Sequence, residues 1–188
     1  MEGHNMAKTA IFLAEGFEEI EALTVVDLLR RAGIEITTAS ITDNKQVTGS
    51  HNITVEADAL LSDIKFDETD MIILPGGMPG TNNLDACEPL KAQIKAFADA
   101  GKKLAAICAA PRVFGKMGIL NGKKATCYPG NEEFLQGADP QTDEVVKDGN
   151  FITSRGMGTA IPFGLAIIEE FQGKEAADDM AKKIIFRQ

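Results

Sequence analysis

The chain has 188 residues, 44% of them hydrophobic and 25% charged, the balance of a folded soluble protein rather than a disordered one. A chain this long buries roughly 70% of the surface its unfolded form exposes, so neither disulfides nor a metal is needed to hold it together. The net charge of −9, with no lysine or arginine cluster larger than a pair, argues against a nucleic-acid partner. No apolar run approaches the 18 residues of a membrane helix, so no membrane partner is expected, and no leader pattern points to secretion. Three widely spaced cysteines form neither a disulfide framework nor a metal-binding pair, which fits a reducing cytoplasm. Residues 1–6 read as a tail or cloning scar, which sets His4 aside from the chemistry, and 7–188 read as a single domain.

The predicted elements alternate. Thr9–Ala14 reads as a strand, and Glu18–Ala32 follows with helical spacing and stops at Gly33. Ile34–Ala39 is a β-branched strand, and Val47–Val55 reads as a hairpin or edge ribbon. Asp70–Leu74 is a strand halted by Pro75-Gly76-Gly77, Leu90–Ala100 is helical, Lys103–Ile107 is a buried strand, and Pro111–Met117 opens another helix. Lys123–Cys127 reads as a strand, Asn131–Gln136 as a helix, and Glu144–Val146 and Phe151–Thr153 as strands. Helices over Thr159–Phe171 and Lys174–Lys183 close the chain. Strands separated by helices predict an α/β three-layer sandwich, a mostly parallel sheet with helices on both faces. Ligands of such sheets bind beyond the carboxyl ends of the strands, which singles out Glu15–Glu21, Pro75–Gly80, Ile107–Pro111, Cys127–Gly130 and Ser154–Thr159.

The run Ala105-Ala106-Ile107-Cys108-Ala109-Ala110-Pro111 is the most informative of these. A buried strand runs through small residues into a helix, the setting of a nucleophile elbow. Amides of Ala109 and Ala110 in the first helical turn are expected to favour a thiolate and lower the pKa of Cys108. The alternative reading makes Cys108 a small buried hydrophobe, as free cysteines usually are, and that reading is the stronger one for Cys87 and Cys127. In the first helix, Glu21 shares a face with Val25, Leu28 and Ala32, opposite Arg30 and Arg31, so its carboxyl points to the core. There it needs a partner or a proton, and a protonated Glu21 could donate to the sulfur of Cys108. Glu18 and Glu19 are explained more simply as first-turn acids that complement the helix dipole. Gly76-Gly77 lets backbone amides approach a ligand and could form half of an oxyanion hole. It matches no nucleotide-binding glycine pattern. Arg155-Gly156 lies in a second glycine loop before the long helix.

With these residues in hand, the chain resembles the ThiJ/PfpI superfamily, in the branch of the Parkinson's-disease-linked protein deglycase and its bacterial relatives. The carriers are Ala14-Glu15-Gly16-Phe17-Glu18-Glu19-Ile20-Glu21, Leu74-Pro75-Gly76-Gly77, the elbow around Cys108, and Thr153-Ser154-Arg155-Gly156-Met157-Gly158-Thr159. The resemblance implies a flavodoxin-like sandwich, a homodimer, and no metal or organic cofactor. It places the reactive cysteine at Cys108, its protonated partner at Glu21, and oxyanion-hole amides at Gly77 and Ala109. Gly76, Tyr128, Arg155 and Gly156 complete the candidate pocket. Tyr128 stands where many relatives carry a histidine, and a phenol is a poor general base at neutral pH. No histidine follows His51, which weakens peptidase and glutamine amidotransferase readings. His51 lies where the disease-linked relative places an arginine that reaches the partner's cysteine, so it is a candidate to supply an imidazole to Cys108 of a partner subunit; the plainer reading is an exposed turn residue. Two functions follow: glyoxalase or deglycase chemistry on small aldehydes and dicarbonyls, or redox sensing and chaperone action through oxidation of Cys108 without turnover.

Overall fold

The computed structural model describes residues 6–188; His4 and most of the expected tail lie outside the described residues. The first strand, β1 (Lys8–Leu13), is buried from its second residue onward and leads into helix α1 (Glu19–Arg31). Acidic residues in the first turn and Arg30 and Arg31 in the last both complement the helix dipole, and Gly33, at φ 76°, lets the chain turn back. Next come β2 (Glu35–Ser40), the antiparallel ribbon β3 (Gln46–Thr48) and β4 (Thr54–Glu56), and the two-residue β5 (Ala59–Leu60). The wholly buried β6 (Met71–Leu74) is followed by α2 (Gly80–Asp85) and α3 (Glu88–Asp99), then by β7 (Lys103–Ile107) and the short α4 (Pro111–Lys116). The remainder is β8 (Lys124–Ala125), β9 (Asp139–Pro140), β10 (Val145–Asp148), β11 (Phe151–Ser154), α5 (Ala160–Gln172) and α6 (Lys174–Lys183).

The main sheet runs β10-β11-β7-β6-β1-β2-β5, parallel throughout except for β10 against β11. The sequences MIIL in β6 and KLAAI in β7 carry no alternation because both faces are covered, as parallel sheets require. One face packs Ile11, Leu13, Ile73 and Ile107 against α1 and α5; the other packs Phe12, Ile72, Leu74 and Ala106 against α2, α3 and α4. This is the α/β sandwich expected from the order of elements, of the flavodoxin-like kind that the resemblance implies. α1 and α5 cross closely at Gly164, where a side chain would meet Leu28 at 2.6 Å.

Two local expectations change, and one helix is unforeseen. α2 forms where no helix is expected, burial of Thr81 and Leu84 outweighing the weak helix preference of Gly-Thr-Asn-Asn. The predicted helix over 131–136 contracts to a single 3₁₀ turn, Glu132–Phe134. The strand predicted to reach Cys127 ends at Ala125.

Candidate active site

β1, β6, β7 and β11 all end on the same side of the sheet, and the loops that leave them meet around Cys108. Cys108 follows β7 with φ 67°, a left-handed conformation that costs a non-glycine residue about 1–3 kcal/mol. Two backbone bonds hold it there: its N–H donates to the Ser154 carbonyl at 2.9 Å, and its own carbonyl accepts from Tyr128 N–H at 2.8 Å. The amides of Ala109 and Gly77 both face its sulfur. Gly77 itself has φ 96°, and a side chain there would sit 2.4 Å from the Glu18 nitrogen.

Glu21 is 1% exposed, on the core face of α1 with Val25 and Leu28. Its Oε1 accepts from Gly76 N–H at 3.0 Å, its Oε2 is buried without a nitrogen or oxygen partner, and its side-chain neighbour is the Cys108 thiol. Gly76 is the spacer between the two: a Cβ on it would lie 2.5 Å from Glu21 Oε1 and 2.7 Å from Cys108 Cβ. Burial pushes the Glu21 carboxyl up to about 7, helped by the charge of Glu18 and opposed by the bonds to Cys108 and Gly76. Burial also pushes the Cys108 thiol well above its ordinary range, and a charged Glu21 adds to this; the Ala109 and Gly77 amides act in the opposite direction.

The expectation of a lowered thiol pKa is therefore corrected. The helix behind the elbow, α4, has only six residues, so its dipole is small, and desolvation next to an anion outweighs the two amides. The thiolate is favoured when Glu21 keeps its proton, because the carboxyl then ceases to repel the sulfur and can donate to it.

Glu18 and Glu19 also do more than neutralise a dipole. Both are buried, at 7% and 5% exposure. Glu18 caps α1 by accepting Glu21 N–H at 3.0 Å. Glu19 accepts the backbone N–H groups of His51 at 2.9 Å and Ile53 at 3.3 Å, tying the β3–β4 turn to the helix. Those amide bonds and the imidazole hold its carboxyl below the usual range despite the opposing pull of burial. Within the chain, His51 is largely exposed, with Nδ1 3.2 Å from Glu19 Oε1 and 3.5 Å from Glu18 Oε1.

A cleft of about 420 Å³ opens over the sulfur, between the Gly77-Met78 loop, Cys108-Ala109 and the segment Tyr128–Asn131, with Arg112 on its wall. Tyr128 is 53% exposed and lines it. Gly156 lies beneath Tyr128, where an added Cβ would be 3.4 Å from the ring. Arg155 is outside the lining: its Nη1 points to the Thr142 carbonyl at 3.4 Å and its charge bears on Cys127. Cys127 is buried, its thiol pushed up to about 11 by burial and Glu132, and Cys87 is half-buried away from the cleft. Sequence reasoning missed Arg112 and Asn131, and reached Met78 only as part of the Pro75–Gly80 segment. The available signal was Arg112 itself, a cation placed in the first turn of a helix against the local dipole.

Residues 7–170 match the family model of the DJ-1/PfpI family. The chain belongs to the DJ-1/PfpI family. Over 183 residues it is 39% identical to protein dj-1beta of Drosophila melanogaster, covering 96% of this chain and 98% of that one. It is 41% identical over 182 residues to protein DJ-1 homolog B of Arabidopsis thaliana, covering 96% of this chain but spanning only 42% of the plant protein. A Caenorhabditis elegans relative called glutathione-independent glyoxalase DJR-1.2 is 33% identical over 181 residues, with 94% of this chain and 96% of the relative covered. Among solved structures, oxidized Toxoplasma gondii DJ-1 superposes with a TM-score of 0.92 at 36% identity, over 97% of this chain and all of the other.

Proposed function

We propose that this DJ-1/PfpI protein converts small 2-oxoaldehydes to 2-hydroxy acids by a cysteine-dependent, cofactor-independent glyoxalase reaction. The observation that carries the reading is the pairing of Cys108 with a buried carboxyl, beside two amides aimed at the same sulfur. The glyoxalase name of the nematode relative supports it. The Cys108 sulfur adds to the aldehyde carbon of methylglyoxal, and the carbonyl π pair becomes an alkoxide held by the Gly77 and Ala109 amides. Glu21 gives that oxygen its proton. A proton then leaves the former aldehyde carbon and returns at the neighbouring carbon through an enediol, with Glu21 as carrier, leaving the lactoyl thioester. Water cleaves the thioester to lactate and frees the thiol, so the sum is one dicarbonyl and one water to one lactate. On a hemiaminal adduct the same sequence follows once the Cys108 sulfur has displaced the amine, the carbon–nitrogen bond breaking and the amine leaving with a proton from Glu21.

Wild-type protein forming lactate from methylglyoxal, and Cys108→Ser forming none, is the expected result. Equal turnover by both would reject the reading. The half-buried exposure of Cys108 also favours a second one, in which its oxidised, anionic sulfur is held by the same amides and by protonated Glu21 as a redox signal. Sulfinate formation at Cys108 on treatment with hydrogen peroxide, two equivalents being reduced to water, with no lactate produced from methylglyoxal selects it.

A homodimer is part of the proposal. Ile20, Leu23 and Ile53 are exposed along α1 and the β3–β4 ribbon, beside an apolar groove of about 630 Å³ that reaches Ile161 and Ile184. In that assembly His51, on the rim of the same face, is proposed to serve Cys108 of the partner; unchanged turnover by His51→Ala would end that role. The protein is proposed to work in the cytoplasm. Among the described residues no helix is long and apolar enough to cross a membrane.

A further inference from the structure

Among the described residues, Arg112 is the one charged group lining the cleft that the proposed chemistry leaves unused. Side chains of a helix lean toward its N-terminus, so Arg112 in the first turn of α4 reaches back over the elbow and lines the cleft with Cys108. Neutral groups hold it in place. Its Nη2 donates to Asn82 Oδ1 and lies 3.8 Å from Met78 Sδ, and its guanidinium carbon is 5.2 Å from the Phe134 ring centroid. Nε is buried and donates to none of the described residues. Arg30, Arg31 and Arg187 each pair with a carboxylate, whereas Arg112 meets none among the described residues. Arg155 shares that lack and also has a buried, unpartnered Nε, but it does not line the cleft. A positioned guanidinium that lines the cleft beside a nucleophile, uncompensated by any carboxylate of the described residues, has the chemistry of a carboxylate subsite.

We propose that Arg112 is a specificity-determining residue that binds the carboxylate of acidic 2-oxoaldehydes while their aldehyde carbon meets Cys108. The assignment deepens the glyoxalase reading and rests on Cys108 as its nucleophile. Neutral methylglyoxal gains nothing from Arg112, whereas an aldehyde carrying a carboxylate gains a charge-assisted, forked hydrogen bond. Lysine keeps the charge but loses the fork, so it is a partial substitute.

The test needs no turnover. Iodoacetate and iodoacetamide both alkylate the same thiolate, forming an S–C bond and expelling iodide, and differ in that only the first carries a carboxylate. Their rate ratio at Cys108, read on the Cys108 peptide by mass spectrometry, therefore cancels any change in thiol ionisation. The ratio is expected to fall about tenfold in Arg112→Gln, the loss of one hydrogen bond between charged groups, and to recover in part in Arg112→Lys. Asn82→Asp, which hands Arg112 a carboxylate from within the chain, is expected to lower the ratio in the same direction without disturbing the core. A ratio unchanged within twofold in Arg112→Gln, or in Asn82→Asp should the first variant not fold, overturns the subsite. If the ratio falls but wild type makes no lactate from methylglyoxal, the glyoxalase reading fails and the subsite stands. If lactate forms and the ratio is unchanged, the subsite is overturned and the glyoxalase reading stands.

Discussion

Glu21 acts on Cys108 in two opposed ways, and replacing it decides which one governs the reactive state. As a carboxylate it repels the thiolate; as a carboxylic acid it donates a hydrogen bond to it. The repulsion of two charges about 4 Å apart is worth about 4 kcal/mol at an effective dielectric constant of 20, or about 3 pH units of thiol titration. The hydrogen bond is worth about 1.5–3 kcal/mol, or about 1–2 pH units, in the other direction. Because burial raises Glu21 to about 7, the pair enters neutral pH with a proton to share. Two amides face the sulfur and one faces the carboxyl, which favours the arrangement with the proton on Glu21 and the charge on sulfur; burial and the Glu21 charge oppose it by holding the thiol well above its ordinary range, and the substitution decides between them.

Glu21→Leu removes both effects in a side chain of similar volume, and Glu21→Gln keeps an acceptor for Gly76 N–H while offering sulfur a weaker neutral donor. The thiolate, followed by its ultraviolet absorbance and by the pH dependence of iodoacetamide alkylation, is expected to appear about 1–2 pH units higher in Glu21→Leu than in wild type. Glu21→Gln should fall in between. A thiolate that forms at the same or lower pH in Glu21→Leu would mean that Glu21 works as an anion against the sulfur, and the proton carrier of the proposed mechanism would be lost.

Two further outcomes test the same pocket. The folded Glu21 value of about 7 lies above the ordinary 4.5, so between these pH values the folded state holds a proton that the unfolded state has released. Stability from this group is thus fully present below pH 4.5 and declines through pH 7, by about 3 kcal/mol in all. Urea unfolding on both sides of that window should show the decline in wild type and a flat difference in Glu21→Gln; equal slopes would refute it. Gly76→Ala forces a methyl group against Glu21 Oε1 at 2.5 Å, Cys108 Cβ at 2.7 Å and the Ile107 carbonyl at 2.9 Å, none of which can retreat freely. It is expected to cost about 1–3 kcal/mol and to slow Cys108 alkylation, and normal stability with normal alkylation would show that the spacer role is wrong.

The parts of this site legible in the sequence are those fixed by periodicity. The 3.6-residue repeat of α1 placed Glu21 on the core face, and the unbroken apolar run of β7 placed Cys108 at the sheet's carboxyl edge. What escaped was set by contacts far apart in the chain. Arg112 belongs to the cleft only because α2 and the loop before it bring Asn82 and Met78 alongside it, and α2 itself carries no strong helix signal. The closeness of the Glu132–Phe134 turn to α4 depends on Gly115, where a side chain would meet the Phe134 carbonyl; nothing local in the sequence marks that contact. The sign of the thiol shift was missed for a related reason. Helix-end electrostatics can be read from one segment, but desolvation depends on the packing of several.

The strained backbone at Cys108 follows from the same non-local control. A left-handed residue at the end of a strand is held only if both of its backbone groups are bound, and here the two partners come from different places. Ser154 is carried by β11, whose parallel register with β7 sets Ser154 opposite Ile107 and its carbonyl against the Cys108 N–H. Tyr128 comes from the loop after β8 and clamps the Cys108 carbonyl. With Gly76 fixed at the end of β6 and Glu21 on α1, the sulfur is located by four separate elements that share only the sheet beneath them. A one-residue slip of β11 on β7 would replace the Ser154 carbonyl, release the left-handed turn and carry the sulfur away from the amides of Gly77 and Ala109. The position and strain of this cysteine are therefore properties of strand register as much as of its immediate neighbours.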